Sequence, residues 1–481
     1  MKRNLLFGLF FTILQLKAYT QNVGIGITNA TQKLHVNGAI KIGGTSSLDT
    51  GTIRWNDFKK DFEGYVGDGW VSFTGSKSSW GSQEQYPVES GGIAATHGSD
   101  TAFGEAIHYG SNRLAIGISR DENGIYRHAG KVRLMKLNSL GQEGNFATIY
   151  PPNIGNYNYF GKSVATAGNL LVVGEPGAKV GDNFRQGKAH LYQLNDQNQT
   201  LSYAELFQTG INGDPEDRFG TTVAIAGDAI AVSAPDKAVG GNSKQGRVYL
   251  YQRLYLLGQP TDAFFPDTNF VAPGGVAHMQ FGKALSLSPY CMVVGAPNTT
   301  VNGNVNAGKV FIYRKVNNNW QFEAGLSPNN LGSNDFFGAS VAINQTGDTL
   351  VIGQPRQSSA GYVWIFIKSG NQWVYSTAFG SQSVDSYEDF GSSVDFKNGR
   401  ILVGARDAAV GINNQQGKAY LYSRVGNSWG KEVTFTPQPG ESYMAFGSSV
   451  QLGPNVAIVG APGYVSQYHK IDIGKIYWYF K

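Results

Sequence analysis

The chain has 481 residues, a length that favours several domains or one modular domain over a single compact core. Glycine accounts for 64 residues, aromatic residues for 12% and charged residues for only 15%, which is typical of ordered proteins with many short strands and tight turns and excludes extensive disorder. The formal net charge is +5, but no extended run of Lys or Arg is present, which argues against nucleic acid as a partner.

Residues 1–20 carry the features of a cleavable secretory signal. Lys2 and Arg3 precede an apolar run from Leu5 to Leu14, and the small residue Ala18 lies close to the predicted cleavage site. A membrane anchor is the alternative, but ten apolar residues are too few to span a hydrocarbon core of about 30 Å. Cleavage would leave 36 basic against 34 acidic residues, so we predict an exported protein of nearly balanced charge without a membrane span.

Residues 21–75 are predicted to form a separate, small β-rich module. Their segments "VGIG", "KLHVNG", "GTIRW" and "DGWVSF" resemble the stalk-like segments at the front of bacterial surface proteins and phage tail fibres, especially in Bacteroidetes-type sequences. The resemblance implies a Gram-negative, Bacteroidetes-like source and a spacer role. Because such segments trimerise in some relatives, a homo-oligomer formed through residues 21–75 is left open.

The remaining residues, 76–481, are built on a repeat. A Phe-Gly pair recurs with spacings of 57, 59, 62, 56, 53 and 56 residues, a period steady enough to be architectural. We assign the Phe to the wedge between repeat units and the Gly to close approach of inner strands near an axis. In chain order the pairs are Phe103-Gly104, Phe160-Gly161, Phe219-Gly220, Phe281-Gly282, Phe337-Gly338, Phe390-Gly391 and Phe446-Gly447.

Each copy contains the signals of four strands. An alternating segment such as "SVAI" at 340–343 is followed by an almost continuous apolar run such as "LLVVG" at 170–174, which indicates two adjacent strands. A polar loop then ends at Gly-Lys or Gly-Arg and opens an aromatic third strand, as in "GKAHLY" from 187. A turn with Asn or Gly and then Trp opens a fourth, so each copy is predicted to be an antiparallel meander.

Seven such sheets can bury both of their faces only by packing around an axis, which predicts an all-β, seven-bladed β-propeller. The seventh copy reaches Lys481 directly after its third strand. Its fourth strand is expected from residues 80–88, where "SSWGSQEQYPVES" resembles "NSWGKEVTFTPQPGES" of the sixth copy. We therefore predict that a strand beginning at Trp80 closes the ring.

The repeated "FG", "VGAP" and "GKAYLY" elements resemble the FG-GAP repeat family, whose members include the integrin α-subunit head. The resemblance covers about residues 80–481 and implies a β-propeller. In that family several blades hold calcium in a D-x-D-x-D-G type turn between their first two strands. Here the corresponding turns, such as "TAGN" from 166 and "NQTGD" from 344, have too few carboxylates for a hard cation. We therefore expect neither calcium nor another cofactor.

Motifs of catalysis are missing from the sequence: no nucleophile elbow, zinc-ligand pair, phosphate loop or EF-hand occurs, so we predict neither catalytic residues nor metal ligands. His190 is interpreted as a filler of a third strand, and Cys291 as a small buried apolar residue. A cation opens the third strand of most copies, which we interpret as a structural contact, with an anionic ligand as the alternative. These cations are Lys131, Lys188, Arg247, Lys309, Lys418 and Lys475.

Ligand contacts are expected in the loops between second and third strands and in the connections between blades, because both emerge on the same face of a propeller. Their Asn, Arg and Tyr side chains suit sugars or protein surfaces through stacking and hydrogen bonds. The candidate contacts are Arg120, Tyr126, His128, Asn183, Phe184, Arg185, Asp236, Lys237, Asn302, Asn304, Arg406, Asp407, Asn413, Tyr464, Tyr468 and His469.

The leading interpretation is a secreted or surface-exposed bacterial binding or adhesion protein that recognises an extracellular glycan or protein without catalysis. A secreted hydrolase or lyase acting on polysaccharide is the alternative, and a structural component of a fibre is a third. Clustered carboxylates in the central funnel would favour the enzyme, whereas an aromatic-lined rim would favour binding.

Overall fold

The computed structural model describes residues 102–137, 143–208, 213–355, 361–381, 387–425, 428–437, 440–463 and 474–480, together with short strands between residues 23 and 87. Every helix or strand assigned in these residues is a β-strand, which confirms the predicted all-β fold. The same residues include no helix long and apolar enough to cross a membrane. The chain divides into two units, Met1–Trp80 with Lys481 and Gly81–Phe480. The predicted signal peptide lies outside the described residues.

The described strands of the first unit form a parallel pair and an antiparallel sheet. In the pair, Val23 lies opposite Leu34. In the sheet, four consecutive strands follow one another as a meander, with Trp55 opposite Phe62. The strands are β1 (Val23–Ile25), β2 (Leu34–Val36), β3 (Ile40–Lys41), β4 (Thr52–Asn56), β5 (Asp61–Tyr65) and β6 (Trp70–Ser72).

The second unit is a ring of seven four-stranded antiparallel sheets, the blades, as the repeat predicted. The seventh blade contains β7 (Gln83–Pro87) beside the last three strands of the chain. Blades 1 to 3 contain β8 (Ala106–Gly110), β9 (Arg113–Ile118), β10 (Lys131–Leu137), β11 (Glu143–Ile149), β12 (Ser163–Ala167), β13 (Leu170–Glu175), β14 (Lys188–Leu194), β15 (Thr200–Leu206), β16 (Val223–Ala226), β17 (Ala229–Ala234), β18 (Arg247–Leu256) and β19 (Gln259–Phe270). Blades 4 to 7 contain β20 (Ala284–Leu287), β21 (Cys291–Ala296), β22 (Lys309–Val316), β23 (Asn319–Leu326), β24 (Ser340–Ile343), β25 (Thr349–Gln354), β26 (Tyr362–Ser369), β27 (Gln372–Phe379), β28 (Phe390–Lys397), β29 (Arg400–Ala405), β30 (Lys418–Val425), β31 (Ser428–Phe435), β32 (Ser449–Leu452), β33 (Val456–Ala461) and β34 (Lys475–Phe480).

The core lies between the faces of neighbouring blades. Every residue of the second strands β13, β17, β21 and β33 is buried, because blades cover both faces of these strands. The fourth strand β15 is exposed along most of its length, since it forms the outer edge of blade 2. Cys291 is fully buried in β21, and burial raises the pKa of its thiol to about 12.

First strands of successive blades lie side by side around the axis, and β32 of blade 7 lies beside β8 of blade 1. The ring closes where β7 pairs with β34, with Pro87 opposite Lys475 and Gln83 opposite Tyr479. This strand lies within the 80–88 segment predicted for closure, while Trp80 itself is outside the described residues. The seventh blade therefore joins the two ends of the propeller chain.

The Phe-Gly pairs pack between blades, although the reason for the glycine differs from the predicted one. All seven Phe side chains are buried, and Phe219 meets Tyr249 edge-on at 5.3 Å between ring centroids. A Cβ on Gly161 would lie 2.7 Å from the Lys131 carbonyl oxygen, and Gly161 has φ +86°. The crowding therefore comes from the third strand of the preceding blade rather than from inner strands, and the left-handed φ adds a second requirement for glycine.

Side chains also join the inner strands of neighbouring blades. In blades 1, 4, 6 and 7, the side chain five residues after the repeat Phe accepts a hydrogen bond from a backbone N–H of the next blade's first strand. Thr166 N–H donates to His108 Nδ1 at 3.1 Å, and Tyr109 N–H donates to Gln451 Oε1 at 3.2 Å across the closure. Burial, and then the nearby Lys397 cation, lower the pKa of His108 to about 3, so its imidazole is neutral and able to accept.

Candidate binding face

The loops between second and third strands form small hairpins on one face of the ring, called the hairpin face below. In blade 2, Val180 N–H donates to the Asn183 carbonyl at 3.1 Å, and Asn183 N–H returns a bond to the Val180 carbonyl at 3.0 Å. The same reciprocal bridge occurs in the other described hairpins, between Asn123 and Tyr126, Val239 and Asn242, Val301 and Asn304, and Val410 and Asn413.

In blades 2, 3, 4 and 6, the asparagine of the hairpin anchors the next connection between blades. Asn183 Nδ2 donates to the Gly213 carbonyl at 2.5 Å and to Gln186 Oε1 at 2.9 Å. Asn304 Nδ2 donates to the Leu331 carbonyl at 2.9 Å, and Asn413 Nδ2 donates to the Gly440 carbonyl at 3.1 Å. Each acceptor carbonyl lies six residues before the next repeat Phe. Three predicted ligand contacts, Asn183, Asn304 and Asn413, therefore have a structural role.

Each hairpin also pairs with the backbone that leads into the following blade. Tyr159 N–H donates to the His128 carbonyl at 3.0 Å, and Arg218 N–H donates to the Arg185 carbonyl at 3.1 Å. The residue before every repeat Phe has a positive φ, as at Tyr159 (57°) and Arg218 (55°). Left-handed non-glycine residues cost about 1–2 kcal/mol unless the surroundings fix them, so the repeated hydrogen bonds hold the hairpin face in one strained conformation.

The predicted Lys237 is buried rather than presented to solvent. Its ammonium contacts Asp217 at 2.7 Å and Asp214 at 3.1 Å, and the residue is only 6% exposed. Burial raises the pKa of Asp217 against the opposing hydrogen bond and charge of Lys237. This ion cluster holds the hairpin against the connection into blade 3.

The other predicted charges on this face contact charged, aromatic or amide neighbours. Asp236 accepts from Gln280 Nε2 at 2.7 Å and pairs with Arg218 at 3.2 Å. Arg185 lies 4.7 Å over the Phe184 ring and 3.6 Å from the Glu216 carboxylate.

Arg406 contacts Asp389 at 3.1 Å and approaches Asp407, another predicted residue of blade 6, at 4.0 Å. Arg120, on blade 1, contributes to the lowered pKa of the Glu105 carboxyl, which burial raises and which the charge and hydrogen bond of Lys162 chiefly lower. Asn302 lies at an exposed hairpin tip with φ 51°. Tyr464, Tyr468 and His469 lie outside the described residues.

Cations at the start of the third strands have structural contacts. Lys131 pairs with Asp121 at 2.9 Å, and Lys188 pairs with Glu205 at 3.0 Å. The Lys309 ammonium lies 5.4 Å from the centroid of the Phe311 ring. These contacts support the structural interpretation of the repeated cation over an anionic ligand.

His190 belongs to a buried hydrogen-bonded cluster in blade 2. Its Nε2 lies 2.8 Å from Glu175 and its Nδ1 lies 2.9 Å from the Tyr203 hydroxyl. Glu175 occupies the Ala position of the Gly-Ala-Pro element and also accepts from Asn158 Nδ2 at 2.8 Å. His190 therefore fills the third strand, as predicted, and both of its ring nitrogens have hydrogen-bond partners within blade 2.

Two carboxylates near the axis already have partners within the protein. Glu105, just before β8, pairs with Lys162 and accepts from Ser119 Oγ at 2.8 Å. Asp395, in β28, accepts from Leu452 N–H at 2.7 Å. Among the described residues, no three His, Cys, Asp or Glu side chains converge in a way that could hold a metal ion.

Exposed apolar side chains lie at the tips of the hairpins, and of these only Phe184 was among the contacts predicted from the sequence. Ile125 is 87% exposed and Ile412 is 95% exposed, at equivalent positions of blades 1 and 6. Phe184 and Val305 are also exposed in the hairpins of blades 2 and 4. The sequence signal was an apolar residue within an otherwise polar loop, three or five residues before the Gly of Gly-Lys.

The junction of blades 1 and 2 departs from the repeat. Tyr126 occupies the position of the anchoring asparagines, and Ile154 occupies the position of the residue whose carbonyl they bind; both are exposed. Next to them, the His128 ring stacks on Tyr157 at 5.3 Å and meets Tyr159 edge-on at 5.7 Å. We call these five residues the aromatic junction.

The FG-GAP repeat family matches the chain over residues 144–192, 209–251, 267–313 and 320–366. Each matched range contains one Phe-Gly pair and ends in the third strand of a blade. No curated protein matches the chain. Together, these four matches and the seven blades described above show that the chain contains FG-GAP repeats and folds as a seven-bladed β-propeller.

Proposed function

We propose that this protein is an exported, non-catalytic binding protein that recognises an extracellular glycan or protein through its hairpin face. The observation that carries the proposal is the set of exposed apolar side chains at hairpin tips, with the aromatic junction among them. Exposed hydrophobic side chains grouped on one face of a soluble fold are characteristic of interaction sites. The secretory signal predicted at residues 1–20 supports an extracellular or surface location.

Rigidity of the hairpin face supports binding. Reciprocal backbone bonds close each described hairpin, and further bonds tie it to the next blade. A ligand would therefore meet side chains already held in place, which reduces the conformational entropy lost on association. Tyr and His rings at the aromatic junction offer flat apolar faces and polar atoms, a combination that suits both sugar rings and protein surfaces.

Polar side chains around the exposed residues are largely engaged within the protein. The anchoring asparagines and the Lys237 cluster bind neighbouring loops, so we assign affinity chiefly to the exposed apolar and aromatic side chains. Arg185 and Arg406 are half-exposed and retain donors that can reach a ligand at the rim. Their expected contribution is orientation and specificity rather than most of the affinity.

The experiment is binding of purified residues 21–481 to a broad glycan array and to an array of extracellular protein domains, with and without calcium. We expect saturable binding that is weakened by Tyr157→Ala and by Arg185→Ala. Tyr375→Ala is the matched control, because Tyr375 is also exposed but lies on the outer strand β27. Two outcomes would overturn the proposal: no saturable binding to either array, or binding that survives both hairpin-face changes.

A further inference from the structure

A groove with a volume of about 430 Å³ lies at the junction of blades 3 and 4, on the face opposite the hairpin face. It lies between the turn joining β16 to β17, the turn joining β20 to β21 and the hairpin joining β22 to β23. Its volume is within the range of small-molecule sites. The residues that matter below are Asp228, Pro289, Tyr290, Lys315, Asn317 and Asn318.

Lys315 differs from the cations at the same position of other blades. It lies opposite Trp320 between the third and fourth strands, as Lys368 lies opposite Trp373 in blade 5. Lys368 pairs with the Glu323 carboxylate, and Arg253 of blade 3 pairs with Asp228 at 3.1 Å. Lys315 has no carboxylate partner among the described residues. An external anion gains the most binding free energy beside a partly buried ammonium that has no anionic partner in the protein.

The neighbouring amide of Gln252 does not supply the missing partner. Both amide atoms find complementary partners when the oxygen accepts from Trp320 Nε1 at 2.9 Å and the nitrogen donates to the Asp228 carbonyl at 3.2 Å. In the opposite orientation, Gln252 Oε1 would accept from Lys315 Nζ at 3.4 Å, at the expense of both other bonds. The satisfied orientation turns a donor toward Lys315, so the ammonium has donors left for a ligand.

The rest of the groove suits a sugar ring. Tyr290 is 57% exposed and follows Pro289, which gives an apolar wall with an aromatic face. Asn317 and Asn318, with φ 49° and 63°, form the exposed turn of the β22–β23 hairpin and place two amide side chains at the groove. The Asp228 carboxylate is neutralised by Arg253 and accepts from the Tyr255 hydroxyl at 2.5 Å, so it does not repel an anion strongly.

We propose that this groove binds an acidic saccharide, with the carboxylate of a hexuronic acid unit on Lys315. The pyranose ring stacks on Tyr290, and the amides of Asn317 and Asn318 bind its hydroxyls. A single cation fits one carboxylate rather than a polyphosphate. The site is independent of the proposed hairpin-face function, since it uses different loops, the opposite face and different ligand chemistry.

The probe is a tri-uronic acid oligosaccharide, compared with its carboxyl-reduced neutral counterpart by calorimetry on residues 21–481. We expect binding that weakens with salt and is at least roughly tenfold tighter than that of the neutral sugar. Lys315→Gln is expected to remove this preference, and Tyr290→Ala to weaken both sugars. Lys244→Gln, a cation change on the hairpin face, is the control and should leave binding unchanged.

Melting temperatures of the variants establish that they are folded, and the Tyr290 change tests the groove even if Lys315→Gln is poorly folded. Failure of the tri-uronic acid to bind would overturn the proposal, as would equal affinity for the two sugars. Tighter binding of an acidic tripeptide than of the oligosaccharide would also overturn it, because the occupant would then be peptide.

Discussion

The junction of blades 6 and 7 and the junction of blades 1 and 2 have the same hairpin but different chemistry. At the first, Asn413 binds Gln416 Oε1 at 2.8 Å and the Gly440 carbonyl at 3.1 Å. At the second, Tyr126 replaces the asparagine and Ala129 replaces the glutamine, and an exposed Ile154 follows. The comparison teaches that the repeat tolerates loss of its anchor, and that the junction without it carries stacked aromatic rings instead, those of His128 and Tyr157.

Removing the closing strand tests the framework common to both junctions and has the largest expected effect. Deletion of residues 83–87 leaves the edge of β34 unpaired and opens the ring. We expect the melting transition of the whole propeller to fall by roughly 10 °C or more, measured by circular dichroism. An unchanged melting temperature would show that β7 does not hold the ring closed.

A second test breaks a junction at its repeat glycine. Gly161→Ala places a Cβ 2.7 Å from a backbone carbonyl at φ +86°, so a loss of roughly 3 kcal/mol or more in unfolding free energy is expected. Gly124→Ala is the matched control, because Gly124 also has a positive φ (63°) but a Cβ added there would meet no atom within 4 Å. It should cost only about 1 kcal/mol by urea unfolding. Equal losses would assign the whole effect to backbone conformation.

The overall fold was predictable because its signals repeat along the chain. Phe-Gly spacing, second strands buried on both faces and aromatic third strands indicated the blades, the strand order and the segment that holds β7. Side-chain partners were not predictable in the same way. The bond between Asn183 and Gly213 joins a hairpin to the connection into the next blade. Lys315 is unusual only because no carboxylate of the described residues pairs with it, whereas its equivalents Arg253 and Lys368 each pair with one. Such roles depend on neighbours that one repeat does not contain.

The asparagine anchor can be tested by comparing equivalent positions of the two junctions. Asn413→Ala leaves the Gly440 carbonyl and Gln416 without their donor, so we expect a loss of about 1–2 kcal/mol in unfolding free energy. Tyr126→Ala in blade 1 removes no such bond and should change stability by only about 0.5 kcal/mol. Denaturant unfolding of both variants measures the difference, and a larger loss for Tyr126→Ala would reverse our assignment of structural and ligand-binding roles.

A smaller effect is expected from pH at His108, in the first strand of blade 1. Its pKa falls from 6.5 unfolded to about 3 folded, so the unfolded state binds more protons between these values and stability falls as pH drops below about 6.5. His108→Gln copies Gln451, keeps an acceptor and removes the titration. We expect the wild type to lose about 1 kcal/mol more than this variant between pH 7 and pH 5.5. Parallel pH profiles of melting temperature would contradict the neutral imidazole.

The measurement that tests the central claim most directly is calorimetric affinity for a ligand selected on the arrays, with each junction changed in turn. The Tyr126→Asn, Tyr157→Ala double variant restores the repeat asparagine and removes the stacked ring at blades 1 and 2. The Ile412→Asn, Tyr443→Ala double variant introduces the same two residues at blades 6 and 7, at the exposed hairpin tip and at the position equivalent to Tyr157. Our account predicts at least roughly tenfold weaker binding for the first pair and a smaller loss for the second. Unchanged affinity in both variants would contradict recognition through the hairpin face.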